Sequence, residues 1–121
     1  MTPLRLGAVR SVVLLGAHPD DIEIGAGGLM LALAEVPGLR VHYVLLTGTS
    51  QRQAEARAAA AAFLPGAKLS FALHNLPDGR VPARWAEAKQ AVEAAAATCD
   101  ADLVVAPAPD DAHQDHRTLG A

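Results

Sequence analysis

The chain has 121 residues, of which 51% are hydrophobic and 3% aromatic, and a formal net charge of −3 at pH 7. That length allows one small domain whose core must come from Val, Leu, Ile and Ala. Slight acidity and scattered basic residues argue against nucleic acid or an anionic membrane surface as a main partner, and no stretch approaches the length of a membrane span.

The start, "MTPLRLGAVRSVVLLGAH", has an apolar run too short for a signal peptide, and it leads straight into charge. The single cysteine, Cys99, excludes an internal disulfide and points to a reducing, cytoplasmic compartment. Cys99 itself reads as a small buried hydrophobe. Nothing in the sequence opposes a homo-oligomer.

The first apolar run, "SVVLLGA" at 11–17, is nearly continuous and predicts a strand buried on both faces. Residues 22–36 follow with Ile22, Ala26, Leu29, Met30, Leu33 and Val36 on one helical face. The glycines at 25, 27 and 28 are expected to let this helix pack closely on the sheet and leave room for a ligand. "RVHYVLLT" at 40–47 predicts the second strand. "QRQAEARAAAAAFL" at 51–64 predicts a helix of good helix formers, stopped by Pro65-Gly66. "KLSFAL" at 68–73 predicts the third strand, and "LPDG" at 76–79 a turn. Residues 83–98 carry a stripe of Trp85, Ala88, Val92, Ala95 and Ala96, with Pro82 at a tolerated helix-start position. "DLVVAP" at 102–107 is also nearly continuous and predicts a fourth strand buried on both faces.

The order is β-α-β-α-β-α-β. It implies an α/β fold, a Rossmann-like doubly wound parallel sheet with strand order 3-2-1-4 and helices on both faces. Such sheets bind ligands beyond the carboxyl ends of the strands, where the strand order reverses. The loops after the first and fourth strands are then neighbours. The first is "AHPDDIE", with His18, Asp20, Asp21 and Glu23; the second is "APAPDDAHQDHRTLG", with Asp110, Asp111, His113, Asp115 and His116.

Imidazole nitrogen and carboxylate oxygen are good zinc ligands, and a catalytic zinc keeps three protein ligands and a water. His18, Asp21 and one histidine of the second loop would make such a set. The metal acidifies the water, a neighbouring carboxylate removes its proton, and a second histidine polarises the carbonyl or protonates the leaving amine. Iron or cobalt suits the same donors.

"AHPDDIEIGAGG" together with "HQDH" resembles the PIG-L (LmbE-like) zinc-dependent deacetylase family, with its AHPDD motif after the first strand and HxDH after a later one. Ile22 before Glu23 resembles a bacterial branch acting on N-acetylglucosaminyl compounds. "RQAEA" at 52–56 and "LPDG" at 76–79 are weaker matches. The resemblance implies that His18, Asp21 and His116 hold the zinc, and that Asp20 is the general base. It implies that His113 stabilises the oxyanion or protonates the leaving amine, and that Asp115 tunes the charge of His113. Arg52 and Asp78 would lie near the hydroxyl-rich end of a small amino-sugar conjugate. The implied reaction removes an N-acetyl group and releases acetate and a free amine. Family members are longer, so residues 1–121 are expected to be the N-terminal part of a longer family domain, lacking its C-terminal portion.

Blander readings accompany these. Asp21 also reads as a helix N-cap, with acidic residues meeting the helix dipole. Glu23 reads as a first-turn residue that orients the site from behind, and Asp110 and Asp111 as turn or cap residues. His42 and His74 read as structural, and Trp85 as core. Three other functions compete: a related zinc amidase on a different conjugate, a metal-binding fragment without catalysis, and a dinucleotide-binding module. The last is disfavoured, because "GAHPDDIEIG" lacks G-x-G-x-x-G and two carboxylates would repel a pyrophosphate.

Overall fold

In the computed structural model, residues 9–98, 100–107 and 113–120 are described. The elements are β1 (Ser11–Gly16), α1 (Asp21–Leu33), β2 (Arg40–Thr47), α2 (Ser50–Phe63), β3 (Lys68–Leu76), a 3-10 turn (Val81–Arg84), α3 (Trp85–Thr98), β4 (Leu103–Val105) and α4 (Gln114–Gly120). All strand pairs are parallel and the order is β3-β2-β1-β4, as the alternation predicts.

Central position explains the composition of β1 and β2. Every residue of β1 is buried, and so is every residue of β2 after Arg40. Both faces are covered, so neither strand alternates polar with apolar. On one face α1 and α2 pack Met30, Leu33, Ala56 and Ala60 against Val12, Leu14, Tyr43 and Leu45. On the other, α3 packs Ala88, Ala91 and Ala95 against Val13, Leu15, Val44 and Leu46, and α4 adds Leu119. Large side chains fill the first layer; alanines let α3 lie close in the second.

The fourth strand is not buried on both faces as its apolar run predicts, because it lies at the edge of the sheet, where Val104 is 56% exposed. Three further expectations are corrected. First, Trp85 is 51% exposed. It opens α3 and lines a groove with Val92 and Leu119; the buried stripe is Ala88, Ala91 and Ala95, with Ala96 outside. Second, a side chain added at Gly25 or Gly28 would meet nothing within 4 Å, so these glycines do not serve close packing. The close approach is at Gly16, where an added Cβ would come within 2.9 Å of Leu45 and 3.0 Å of Ile22. Third, the segment after β4 is not all loop, because Gln114–Gly120 is helical. Helix α1 also kinks at Ala26, whose φ of −135° leaves the helical region.

His42 is buried and its Nδ1 lies 2.8 Å from Ser70 Oγ, with burial pushing its pKa down. The buried Nε2 of His74 has no partner among the described residues. Cys99, Asp110, Asp111 and the side chain of Glu23 lie outside what is described.

Candidate metal centre

Strand β1 delivers its loop to the rim of the sheet at Ala17, and β2 holds it there. The Thr47 backbone N–H and hydroxyl both donate to the Ala17 carbonyl, at 3.0 and 2.8 Å. Pro19 is buried against Gly48, whose φ of +142° suits only glycine. Asp20 takes the N-cap position of α1 without a capping bond from its side chain. The Asp21 carboxylate instead turns back and accepts from the His18 backbone N–H at 2.7 Å.

Helix α4 comes from the far side of β1 and brings His116 to the same place. His116 Nε2 lies 2.9 Å from Asp21 Oδ2 and 3.3 Å from His18 Nδ1, and His18 Nδ1 lies 3.2 Å from Asp21 Oδ2. With zinc bonds of about 2.0–2.2 Å, tetrahedral ligand atoms stand roughly 3.3–3.5 Å apart. The triangle is slightly tighter than that, as expected where hydrogen bonds close it. Two imidazole nitrogens and one carboxylate oxygen therefore fit a divalent metal in donor type and spacing.

The opposite edge of the His18 ring meets different groups. Its Nε2 lies 2.8 Å from Asp115 Oδ2 and 3.1 Å from Asp78 Oδ1. Asp115 is fully buried, whereas the Asp78 side chain is 80% exposed. The Asp115 carboxylate also accepts from the backbone N–H groups of Gly79, at 2.7 Å, and Val81, at 3.0 Å. Gly79 has a φ of +74°, so the "LPDG" turn needs glycine there. His113 completes a second cluster with His18, Asp78 and Asp115. Its ring stacks on His116 with centroids 4.9 Å apart, and its Nδ1 accepts from the Asp115 backbone N–H at 3.0 Å.

Electrostatics follow from these contacts. The hydrogen bond to Asp21, opposed by burial and reinforced by Asp115, raises the His18 pKa to about 9. Burial pushes the Asp21 and Asp115 carboxyls up, but hydrogen bonds from His18 outweigh it and both sit below the usual value. For Asp115 the Gly79 and Val81 amides add to that effect.

Beside the triad opens a cleft of ≈ 1000 Å³ lined by His18, Asp20, Arg52, Asp78 and His113, with Thr49, Ser50, Gln53 and Asn75 among the polar walls. Arg52 lies in the first turn of α2, which Thr49 caps by accepting the Arg52 backbone N–H, and its guanidinium lies 3.7 Å from Asp20. Seven of the eight residues singled out from the sequence thus meet around one cleft rim or one metal-sized triangle, and the eighth, Asp115, lies buried behind His18. Two contributors were missed: the Gly79 and Val81 amides. A glycine after Asp78 hinted at the turn, but no side-chain pattern marks an amide donor.

A family model described as PIG-L, GlcNAc-PI de-N-acetylase, matches residues 13–121. No curated protein and no solved structure matches the chain. Among the described residues, the matched span contains every strand but the first two residues of β1, and α1 to α4; it also spans both loop sequences. The family is one of deacetylase- or amidase-type hydrolases that typically depend on a metal, and the match over nearly the whole chain shows that this protein belongs to the PIG-L family.

Proposed function

We propose that the protein is a zinc-dependent hydrolase that removes an N-acetyl group from an N-acetylglucosaminyl-type conjugate. The observation that carries this reading is the convergence of His18 Nδ1, Asp21 Oδ2 and His116 Nε2 within 3.3 Å at the edge of the polar cleft. In this reading those three residues hold the metal. When bound, it supplies a Lewis acid and lowers the pKa of water.

Asp20 is the general base. Its carboxylate lines the cleft and is 58% exposed, so water reaches it. It takes the proton from the attacking water as the oxygen joins the acetyl carbon, and returns it to the nitrogen as the C–N bond breaks. Acetate and a free amine leave. His113 donates to the carbonyl oxygen. Its Nδ1 accepts the Asp115 backbone N–H, and the residue lines the cleft beside the proposed metal ligands. Arg52 and Asp78, both on the cleft wall, bind sugar hydroxyls.

The test is metal analysis together with a screen of N-acetylated amino-sugar conjugates for free amine, with and without chelator. About one metal per chain and chelator-sensitive amine release are expected. Bound metal with release only from a non-sugar amide would transfer the reading to an amidase. A chain without stoichiometric metal would overturn it.

A further inference from the structure

We infer that Asp115 is the positioning residue of His18, holding its ring so that Nδ1 is presented to the metal. This rests on the proposed reading that His18, Asp21 and His116 bind a divalent metal.

The Asp115 carboxylate offers only acceptors, and it is completely buried. Oδ2 lies 2.8 Å from His18 Nε2 and 2.7 Å from the Gly79 nitrogen, while Oδ1 lies 3.0 Å from the Val81 nitrogen. Two backbone donors fix both oxygens, so the group cannot swing away from the imidazole. A hydrogen bond to it requires a His18 proton on Nε2, so Nδ1, which faces Asp21 and His116, is the nitrogen left to a metal. Gln114 closes the arrangement from the neighbouring position by donating to the Gly79 carbonyl at 2.6 Å. Asp78 also reaches His18 Nε2, at 3.1 Å, but its side chain is 80% exposed, so solvent screens that contact. Residue 115 also donates its backbone N–H to His113 Nδ1.

The experiment uses the full chain as wild type, Asp115→Asn, Asp115→Glu and His113→Gln. Cobalt(II) is titrated against a competing chelator, the visible absorption band is recorded, and metal-free melting temperatures are measured alongside. Asp115→Asn should weaken cobalt binding by about 10–100-fold and alter the band. An amide has one acceptor for three donors and no longer holds the ring. Asp115→Glu should recover part of the affinity, and His113→Gln should bind as wild type does. Wild-type affinity and an unchanged band in Asp115→Asn, with only a lower melting temperature, would overturn the inference. So would unchanged affinity with a shifted pH profile of amine release, which would assign Asp115 to His113. If Asp115→Asn does not fold, Asp115→Glu decides: a dissociation constant and band equal to wild type overturn the inference. A wild-type chain that takes up no cobalt contradicts the metal reading first and this inference with it.

Discussion

The two edges of the His18 ring are built differently. The Nδ1 edge meets side chains only, Asp21 from its own loop and His116 from a helix 98 positions away. The Nε2 edge meets a buried carboxylate that backbone amides hold in place. One edge can close on a cation; the other cannot move. A metal site needs both, because a ligand that rotates freely loses affinity to the entropy of ordering it.

Breaking the Nδ1 edge should have the largest effect. His116→Ala or Asp21→Ala should lower metal affinity by more than the 10–100-fold typical of an outer partner. Equilibrium dialysis would check this, and near-normal binding in either variant would remove that residue from the ligand set. Asp20→Asn sharpens the contrast from outside the ring. It should lower amine release by about 10²–10⁴-fold while the metal stays bound. Loss of metal in that variant would contradict its assignment as base.

The ring's own charge distinguishes the metal-free from the loaded state. In the metal-free fold His18 is raised from 6.5 to about 9. A raised pKa stabilises the fold fully below the unfolded value, and that contribution is lost as pH climbs through the folded one. The melting temperature of the chelator-treated protein should therefore fall between pH 6.5 and 9. Metal affinity should rise over the same window, because metal and proton compete for Nδ1. A flat melting profile there would show that the ring is not held charged by Asp21 and Asp115. The smallest effect belongs to Asp78→Asn. Its carboxylate is 80% exposed, so its pairing with His18 is screened. Metal affinity should change by no more than about 2–3-fold, with the larger change in KM.

Much of this architecture was legible from residue pattern. β1 and β2 are continuous apolar runs because both their faces are covered, and the alternation with helices implied the strand order that sets β4 beside β1. His18, Asp21 and a histidine of the second loop stood out because two loops rich in ligand side chains flank those neighbouring strands, and the family resemblance singled out His116. Other features left no such trace. α4 is seven residues long and dense in polar side chains, so it reads as loop. Trp85 fits a helical period, yet it sits at the first residue of α3 and lines a surface groove beside α4. The glycines of α1 suggested close packing, but Gly16 is where the backbone meets side chains. The link from Asp115 to His18 spans 97 positions and depends on two backbone amides, which no residue type announces.

X-ray absorption at the metal edge of the loaded chain tests the central claim most directly. The account predicts a shell of nitrogen and oxygen with the scattering signature of two imidazoles, reduced to one in His116→Ala. A shell of water oxygens without imidazole, or one containing the sulfur of Cys99, would contradict it.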